Sequence, residues 1–406
     1  MLNFSKKVNT DKEKIKKLLT RNVEEVFVLE SLEKKLLSGK RLNIKLGFDP
    51  TGSKIHIGRA VILRKLKEFQ DLGHNIIFIV GNFTAQIGDP SDKLEKRPML
   101  SDFDVEKNLK NYKNQIGKIL DLKKVSFKYN SDWLSKLKFK EITKLAESFT
   151  VSQMISRRNF KDRLDRGGEI SLREFMYPLM QGYDSVMVDA DVEIGGFDQL
   201  FNLKAGRIIQ KYYGKTEQDI LTTTMLEGTD GRKMSTSWGN VINIIDEPSE
   251  IFGKIMSLRD DLIIKYFRVC TDFSEEKIAE FEANLLSQKI NPKDLKIELG
   301  KEIVKMYHGE KDAISAVENF EKTFSRGGIP ENFIEIKASV DQKIVDILIK
   351  EKIVISKNDW RRLIDGGAIL KIISDSEKQK INDPNYIIKE SGFYRIGKKR
   401  FVKIVV

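Results

Sequence analysis

A short segment at residues 56–59 reads His-Ile-Gly-Arg, and its histidine is one of only three in 406 residues. It follows Gly-Phe-Asp-Pro-Thr at residues 47–51 and opens a helical pattern. A helix N-terminus offers unpaired N–H groups and its positive dipole end to a phosphate. His56 suits a donor to a phosphate oxygen, and Gly58, without a Cβ, suits close approach of an adenine ring. The alternative is structural: a histidine that caps a helix and a glycine packed on a sheet.

A second segment, at residues 231–237, reads Gly-Arg-Lys-Met-Ser-Thr-Ser. Lys233 supplies a movable point charge, and the hydroxyls and backbone N–H groups complete the contacts that a polyphosphate needs. Glycines at positions 228, 231 and 239 indicate a flexible loop. The alternatives are a solvated basic loop and a phosphorylation site.

Three polar side chains, Tyr177, Gln181 and Asp184, are spaced so that they share one face of a helix. Such a stripe suits the lining of a pocket for a polar ligand, and an exposed helix face is the alternative. Residues 195–199 read Gly-Gly-Phe-Asp-Gln. This pattern suits close backbone approach to a nucleotide with Asp198 on a ribose hydroxyl. A tight turn in which Asp198 caps the next helix is the alternative.

The elements that must position these groups open with an α/β pattern. Residues 43–48 indicate a strand, a helix follows from about Ile57 to Gly73, and the apolar run 76–81 is typical of a strand buried on both faces. Strand, helix and buried strand form the start of a nucleotide-binding sheet, in which ligands bind beyond the carboxyl ends of the strands.

The rest of the chain is predicted to contain further helices and short strands, with no internal repeat. The predicted elements are one or two amphipathic helices at 11–39, a mostly helical region at 102–180, strands at 185–188 and 192–194, a helix from about Gln199 to Tyr212, a helical domain at 248–324, a linker at 327–330 and a small mixed module.

Composition restricts the class of protein. The formal net charge is +12, and residues 341–406 hold 15 basic against 9 acidic residues, half of that excess. A basic terminal module suggests nucleic acid as a partner, with a generally Lys-rich chain as the alternative. The lone Cys270 excludes an intramolecular disulfide framework and a Cys-based zinc site. With no bilayer-length apolar run and no signal-peptide pattern, we expect a cytoplasmic enzyme that does not bind membranes.

Taken in order, the motifs resemble those of the bacterial tyrosyl-tRNA synthetases, a family of class I aminoacyl-tRNA synthetases. Residues 56–59 are similar to the signature His-Ile-Gly-His, and residues 233–237 to Lys-Met-Ser-Lys-Ser. The resemblance covers nearly the whole chain. Similarity to the tyrosine-specific branch is found at residues 47–51, Thr84, residues 87–91 (Ile-Gly-Asp-Pro-Ser), the Tyr177, Gln181 and Asp184 stripe, and residues 195–199.

The end of the chain is similar to an S4-type RNA-binding domain, in segments 345–349, 356–368 and 395–401. Basic residues on one helix and at a strand end would bind phosphates of the nucleic acid. The RNA-binding residues that the resemblance implies are Lys357, Arg361, Arg362, Lys398, Lys399 and Arg400.

The resemblance also implies the architecture. It predicts an α/β fold with a Rossmann-like parallel-sheet nucleotide-binding catalytic domain at 1–247, which contains a helical dimerisation insertion at about 102–180. An α-helical tRNA-binding domain at 248–326 and a small α+β S4-like domain at 339–406 follow. Members of the family are homodimers, so a homodimer is expected.

The implied reaction has two steps. Tyrosine attacks the α-phosphate of ATP to give tyrosyl-adenylate and pyrophosphate, and the tyrosyl group then passes to the terminal adenosine of tRNA(Tyr). Catalysis would rest on positioning and electrostatics. ATP enters as a substrate with Mg²⁺, and no tightly bound protein-ligated metal is expected.

The resemblance assigns roles to individual residues. Asp89, Tyr177 and Gln181 would hold the ammonium group of tyrosine, and Asp184 would accept a hydrogen bond from its phenol. The catalytic set is His56, Lys233, Thr236, Lys93 and Arg97. The tyrosine-binding set is Gly47, Asp49, Thr84, Asp89, Tyr177, Gln181, Asp184 and Gln199. The ATP-binding set is Thr51, His56, Gly58, Arg59, Gly196, Asp198, Lys233, Met234, Ser235, Thr236 and Ser237.

Three positions depart from the family pattern. Thr236 replaces the second lysine of its signature, which removes a cation from the pyrophosphate. Lys45 replaces a phenol-binding tyrosine found in many relatives, and its ammonium could approach the phenol oxygen. Arg59 replaces the last histidine of the first signature, and would either reach a phosphate or turn outward.

Other readings of the motifs remain. One is a tRNA-independent nucleotidyltransferase of the same superfamily, and a tryptophan-specific relative is another, which Asp184 disfavours. A third is a synthetase-derived paralogue that binds RNA without charging it, as Thr236 and Arg59 would allow. Tyrosine-dependent exchange of pyrophosphate into ATP distinguishes among them.

Overall fold

The computed structural model describes residues 7–89, 100–235, 238–322, 333–373, 377–397 and 400–406. The chain divides into two compact units, one of Met1–Asp246 with Ser257–Leu299 and one of Glu247–Met256 with Gly300–Val406. The three-part division drawn from the sequence, at 1–247, 248–326 and 339–406, stays a prediction.

The first unit is built on a six-stranded sheet. Its strands are β1 (Val23–Phe27), β2 (Asn43–Phe48), β3 (Asn75–Val80), β4 (Val125–Tyr129), β5 (Val192–Gly196) and β6 (Asp219–Thr223). The strand order is β1-β6-β5-β2-β3-β4, and all neighbours are parallel except the edge strand β1, which pairs antiparallel with β6. The predicted parallel sheet is therefore confirmed.

Helices surround this sheet, and the insertion between β3 and β5 is mostly helical, as predicted. The helices are α1 (Lys12–Thr20), α2 (Leu29–Leu37), α3 (Ile57–Leu72), α4 (Thr84–Ile87), α5 (Asp102–Leu109), α6 (Tyr112–Ile116), α7 (Ser131–Leu134), α8 (Phe139–Ala146), α9 (Val151–Ile155), α10 (Arg158–Asp165), α11 (Leu172–Met187), α12 (Leu200–Tyr212), α14 (Ile263–Cys270) and α15 (Glu275–Leu286), with short 3-10 turns at Leu122–Lys124, Phe197–Gln199 and Asp260–Leu262.

The pairing of β2, α3 and β3 fixes the frame of the site. Ile76 through Val80 of β3 are all buried, as expected for a strand covered on both faces. Helix α3 buries Ala60, Leu63 and Leu66 and contacts the sheet. It ends at Gly73, whose φ of 93° lies in the left-handed region that glycine adopts without strain.

Two of the predicted elements differ in the structure. Residues 185–188 are not a strand, because α11 continues to Met187 and packs along α12, so tertiary packing overrides a locally strand-like sequence. Residues 11–39 hold two helices separated by β1. Strands β4 and β6 are also absent from the prediction, since polar residues interrupt their apolar patterns.

The second unit contains α13 (Pro248–Met256), α17 (Glu310–Phe320), α18 (Ile344–Lys350) and α19 (Lys357–Asp365), and α16 (Pro292–His308) crosses the division at residue 299. Its strands are β7 (Ile334–Lys337), β8 (Ile369–Ile372), β9 (Lys378–Lys380), β10 (Gly392–Ile396) and β11 (Arg400–Val405). They form a sheet in the order β7-β11-β10-β8-β9.

The core of this C-terminal α+β module forms around Trp360 and Tyr394, both almost fully buried. The indole N–H of Trp360 donates to the Pro384 carbonyl at 2.9 Å, so its polar atom is satisfied in the core. The predicted small mixed module is confirmed. Within the described ranges, no helix has the length and apolarity that crossing a membrane requires.

Candidate active site

A cavity of about 250 Å³ lies at the carboxyl edge of the parallel strands in the first unit. This is the edge at which open α/β sheets bind their ligands. The predicted residues that line it are Gly47, Asp49, Thr51, His56, Gly58, Arg59, Thr84, Asp89, Tyr177, Gln181, Asp184, Gly196, Asp198, Gln199, Lys233 and Met234. The structure thus brings together residues that lie almost 190 positions apart in the sequence.

His56 is the N-cap of α3, and its Nδ1 accepts the backbone N–H of Arg59 at 3.3 Å. With Nδ1 as an acceptor, the neutral ring carries its proton on Nε2. Burial, reinforced by the charge of Arg59, lowers the pKa of His56 to about 3. His56 therefore caps the helix and is also a neutral hydrogen-bond donor at the cavity. The two interpretations of this residue from the sequence, helix cap and donor, are thus compatible.

Arg59 does not turn outward. Its guanidinium donates to the Thr51 hydroxyl at 3.1 Å and to the Tyr112 hydroxyl at 3.2 Å, and lies 4.7 Å from the ring centre of Phe48. These contacts tie the loop after β2 to α3 and α6. Arg59 also lines the cavity. The other expectation from the sequence, that its guanidinium contacts a phosphate, therefore stays a prediction.

Asp49 connects β2 to the stripe on α11. One carboxylate oxygen accepts the Tyr177 hydroxyl at 2.8 Å, and the other accepts the Thr84 hydroxyl at 2.7 Å. Burial and the neighbouring charge of Asp49 raise the pKa of Tyr177 well above its usual value, so Tyr177 stays protonated. Tyr177 and Asp184 are buried and Gln181 is half-buried, which excludes the exposed-face interpretation of this stripe.

Asp184 is 3% exposed, and two donors hold it. The Trp133 indole N–H donates to Oδ1 at 2.7 Å, and the Asn130 amide donates to Oδ2 at 3.3 Å. Burial raises the pKa of Asp184 to about 7, against opposing contributions that include these two hydrogen bonds. Neither donor was predicted from the sequence. Asn130 directly follows β4, and recognising that strand would have placed it at the ligand-binding edge.

Asp89 is held in a similar manner. Its carboxylate accepts the Gln199 amide at 2.6 Å and the Asn202 amide at 3.4 Å, and lies 3.8 Å from Arg157. Asn202 and Arg157 were not predicted. They come from α12 and from the residue before α10, so each reaches Asp89 only through the fold.

Lys45 does not point its ammonium into the cavity. It is fully buried and pairs with Glu193 at 2.9 Å, and it is not among the lining residues. The expectation that it approaches a phenol oxygen is therefore wrong for this structure. The cause is electrostatic, because a buried ammonium is stable only with a close counter-charge.

Lys233 and Asp198 both line the cavity and form an ion pair, with Nζ 3.3 Å from Oδ2. The N-cap residue of α12 is Gln199, whose side chain makes no capping hydrogen bond. Asp198 is therefore not the helix cap that the alternative interpretation proposed. Ser235 donates its backbone N–H to Asn240 and is not among the lining residues. Lys93, Arg97, Thr236 and Ser237 lie outside the described residues, as do Lys398 and Lys399.

In the second unit, the described members of the predicted RNA-binding set are exposed. Arg361 and Arg362 lie on α19 beside the buried Trp360. Arg362 pairs with Asp359 at 2.7 Å, and the Arg400 guanidinium donates to the Ile353 carbonyl. Lys357 is at the start of the same helix.

Comparison with known proteins identifies the family to which the chain belongs. Residues 37–325 match the family of class I tRNA synthetases described as "W and Y". A tyrosine–tRNA ligase of Thermotoga maritima is 42% identical over 391 residues, which cover 96% of each chain. The chain belongs to the tyrosine–tRNA ligases of class I.

Solved structures of synthetases share the fold. A C-terminally truncated mitochondrial tyrosyl-tRNA synthetase of Aspergillus nidulans has a TM-score of 0.64 at 22% identity, covering 77% of this chain and 95% of that one. The Archaeoglobus fulgidus enzyme, in complex with L-tyrosine, has a TM-score of 0.61 at 22% identity, covering 75% and 99%. The predicted family and the α/β synthetase fold are confirmed.

No group of three His, Cys, Asp or Glu side chains within the described residues has an arrangement that could hold a metal ion.

Proposed function

We propose that this synthetase activates tyrosine in the cavity described above and transfers it to tRNA(Tyr). The observation that carries the assignment of the cavity is Asp184, a buried carboxylate held by Trp133 and Asn130 at the cavity wall. A carboxylate in this setting suits the phenolic hydroxyl of tyrosine, whereas phenylalanine would leave it without that donor. The Archaeoglobus fulgidus relative with bound L-tyrosine supports the same ligand.

The other end of tyrosine is assigned to the acidic and amide groups opposite. Asp89, Tyr177 and Gln181 would hold the ammonium group, since a carboxylate and neutral oxygens accept its three protons. Gly47, Asp49, Thr84 and Gln199 complete the proposed tyrosine set. Asp49 and Gln199 act by holding Tyr177 and Asp89, to which they are hydrogen-bonded.

The nucleotide side uses the two signatures. A carboxylate oxygen of tyrosine attacks the α-phosphorus of ATP, and the bond to the bridging oxygen of pyrophosphate breaks. The Nε2–H of His56 would donate to an oxygen that gains charge, and Lys233 would stabilise the departing pyrophosphate. Gly58, Gly196 and Asp198 would frame the adenosine. ATP brings Mg²⁺ with it as part of the substrate.

The proposed catalytic and ATP-binding sets keep members that rest on the sequence alone. Lys93 and Arg97 would assist at the phosphates or meet the tRNA end, and Thr236 would stand where relatives have a second lysine. Thr51, Arg59 and Met234, which line the cavity, complete the ATP-binding set together with Ser235 and Ser237. A cytoplasmic location, where ATP and tRNA are available, is part of the proposal.

The second step, transfer of the tyrosyl group, requires that the protein bind tRNA. Lys357, Arg361, Arg362, Lys398, Lys399 and Arg400 would contact its phosphates. Support comes from the exposure of the described residues among them and from the basic excess of residues 341–406. Arginine suits this role because its planar group binds phosphate with two parallel hydrogen bonds.

A homodimer is proposed through the helical insertion at about 102–180. Large apolar side chains are exposed there, with Phe139 at 82% and Leu172 at 79% exposure. Exposed apolar groups of this size often mark an interface. Sedimentation of a Phe139→Glu and Leu172→Glu double variant tests the assignment, since an unchanged dimer would contradict it.

Exchange of labelled pyrophosphate into ATP, with tyrosine as the only amino acid, tests the proposed function. Tyrosine-dependent exchange together with charging of tRNA(Tyr) is the expected result. Exchange with tryptophan, or with another acceptor but not tyrosine, would contradict the assignment of the cavity. Tight binding of tRNA without any exchange would indicate a non-charging paralogue instead.

A further inference from the structure

A buried ion pair joins strands β2 and β5 of the sheet that carries the cavity. Lys45 of β2 and Glu193 of β5 face each other in register on neighbouring parallel strands, with Nζ 2.9 Å from Oε1. Both side chains are 0% exposed. Removing two charges from water is costly, so a fold retains such a pair only where every group is satisfied.

The ammonium of Lys45 has three acceptors. Besides Glu193, it donates to the backbone carbonyl of Gln181 at 2.8 Å and to the hydroxyl of Ser185 at 2.7 Å. These three bonds use all three of its protons. Two of the acceptors lie on α11, one turn apart, so Lys45 fixes the middle of that helix against β2.

The carboxylate of Glu193 is surrounded by donors. It accepts the side-chain amide of Gln181 at 3.1 Å and the Ser185 hydroxyl at 3.2 Å, and Gln218 also donates to it. Gly206 leaves the space for this cluster, because a Cβ there would lie 3.1 Å from the Ser185 hydroxyl oxygen and 3.2 Å from Glu193.

One member of this network also lines the cavity, and that residue is Gln181. A carboxylate only accepts hydrogen bonds, so the Nε2 end of the Gln181 amide must face Glu193. The carbonyl oxygen of the same planar amide then points away from Glu193. A fixed carbonyl oxygen at the cavity is an acceptor for an ammonium group and repels no donor.

We propose that the buried Lys45–Glu193 pair is a positioning device that selects the α-ammonium group of tyrosine by fixing the orientation of the Gln181 amide. The inference rests on the proposed function, in which Gln181 contacts that ammonium. Lys45 and Glu193 do not touch the substrate themselves.

The Lys45–Glu193 pair also influences Asp184. Burial raises the pKa of Asp184, and the positive charge of Lys45 is the largest influence that opposes the rise. The pair thus lies close enough to influence the phenol end of the site as well as the ammonium end.

The test compares two ligands that differ only in the ammonium group. They are tyrosine and 3-(4-hydroxyphenyl)propionate, which keeps the phenol and the carboxylate. Direct calorimetric binding to the full chain is measured for the parent and for Glu193→Leu, which offers the Gln181 amide no acceptor and so no longer fixes its orientation. We expect the affinity for tyrosine to fall roughly tenfold or more, and the affinity for the propionate to change by less than about twofold.

Glu193→Leu leaves Lys45 buried without its counter-charge, so a second variant is needed. Lys45→Met with Glu193→Leu removes both charges at similar volume, which buried pairs generally tolerate. It also removes two opposing influences on the pKa of Asp184, the lowering by Lys45 and the raising by Glu193. The phenol end should therefore change little, and the same selective loss for tyrosine is expected. Asp219→Asn is the matched control, because Asp219 is a buried carboxylate at the amino end of β6 that pairs with Lys35 at 2.9 Å rather than with Lys45. It should leave the affinity ratio of the two ligands unchanged.

Equal weakening of both ligands in the two variants would mean that the pair only supports the fold, and would overturn the inference. Unchanged affinity for tyrosine would overturn it as well. The parent separates this failure from failure of the proposed function. A parent that shows no tyrosine-dependent pyrophosphate exchange would overturn both, whereas an active parent with equal losses in the variants would overturn the inference alone.

Discussion

The indole nitrogen of Trp133 lies 2.7 Å from Oδ1 of Asp184 and donates to it, so α7 fixes a carboxylate carried by α11. Asn130 donates to the other oxygen. The carboxylate therefore has a defined orientation before any ligand arrives. Preorganisation of this kind reduces the cost of binding, because the acceptor need not be ordered by the substrate.

Asp184→Asn should raise the KM for tyrosine by roughly tenfold to a hundredfold, because an amide accepts a phenol proton less well than a carboxylate does. The KM for ATP should stay the same. Pyrophosphate exchange measures both constants. Asp189→Asn, just beyond the C-terminus of α11 in an exposed pair with Lys215, is the control. An unaltered KM for tyrosine in Asp184→Asn would remove this residue from the site.

The affinity for tyrosine should depend on pH near neutrality. Burial raises the pKa of Asp184 to about 7, and its deprotonated form is the better acceptor. Affinity should therefore rise as pH increases through about 7, and the rise should be absent in Asp184→Asn. Calorimetric titration of tyrosine across this range checks it, and a step of the same size in the variant would assign the titration to another group.

The same group makes the unfolding free energy depend on pH. In the unfolded chain an aspartate has a pKa of about 4. Between about pH 4 and about pH 7 the folded protein thus holds a proton that the unfolded chain has lost, and this contribution to stability falls as pH rises. Urea titrations should show the unfolding free energy of the parent declining relative to Asp184→Asn across that window. A parallel dependence in both proteins would contradict a raised pKa.

His56→Ala should slow adenylate formation roughly a hundredfold, as expected for loss of one donor at a site of developing charge. Because the pKa of His56 is lowered to about 3, its protonation should not contribute to the pH profile in the working range of the enzyme. Stopped-flow measurement of adenylate formation tests both statements. A histidine titration near pH 6.5 that disappears in the variant would show that His56 acts in its charged form.

Arg59→Met should lower the free energy of unfolding by about 1–3 kcal/mol, since it removes two hydrogen bonds from a charged group and the contact with the Phe48 ring. The KM for tyrosine should not change. Urea unfolding and exchange kinetics measure the two effects. A rise in the KM for ATP would support the place of Arg59 in the proposed ATP-binding set, whereas full stability of the variant would contradict the structural role of its contacts.

Arg361→Gln with Arg362→Gln should raise the KM for tRNA and flatten its dependence on salt, because phosphate contacts release counterions. Pyrophosphate exchange, which needs no tRNA, should be unaffected. Lys350→Gln with Lys389→Gln carries the same charge change on the same module and serves as the control. If both pairs of substitutions impaired tRNA charging equally, the effect would reflect only the net charge of the module and not specific contacts of α19.

The frame of the site was predictable from the sequence, because its signals are local. The strand at 43–48, the capped helix that follows and the buried run after it each occupy a few consecutive residues. The Tyr177, Gln181 and Asp184 stripe was also predictable, since helical spacing alone puts these residues on one face.

The groups that orient the carboxylates were not predictable in this way. Trp133 and Asn130 lie 51 and 54 positions before Asp184, and they reach it only because β4 and α7 pack beside α11. The Lys45–Glu193 pair joins strands that are neighbours in the sheet and distant in sequence. Contacts of this kind depend on the topology of the sheet, which propensity and spacing do not encode.

One chain of hydrogen bonds runs from Tyr177 through Asp49 and Thr84 to Asn130, which donates to both Thr84 and Asp184. The two ends of the proposed tyrosine site are thereby energetically coupled. Free-energy changes from substitutions at the two ends should not add, and a double-mutant cycle between Tyr177→Phe and Asp184→Asn would measure the difference. In the proposed site, binding of the phenol and binding of the ammonium group are then linked through Asp49, Thr84 and Asn130.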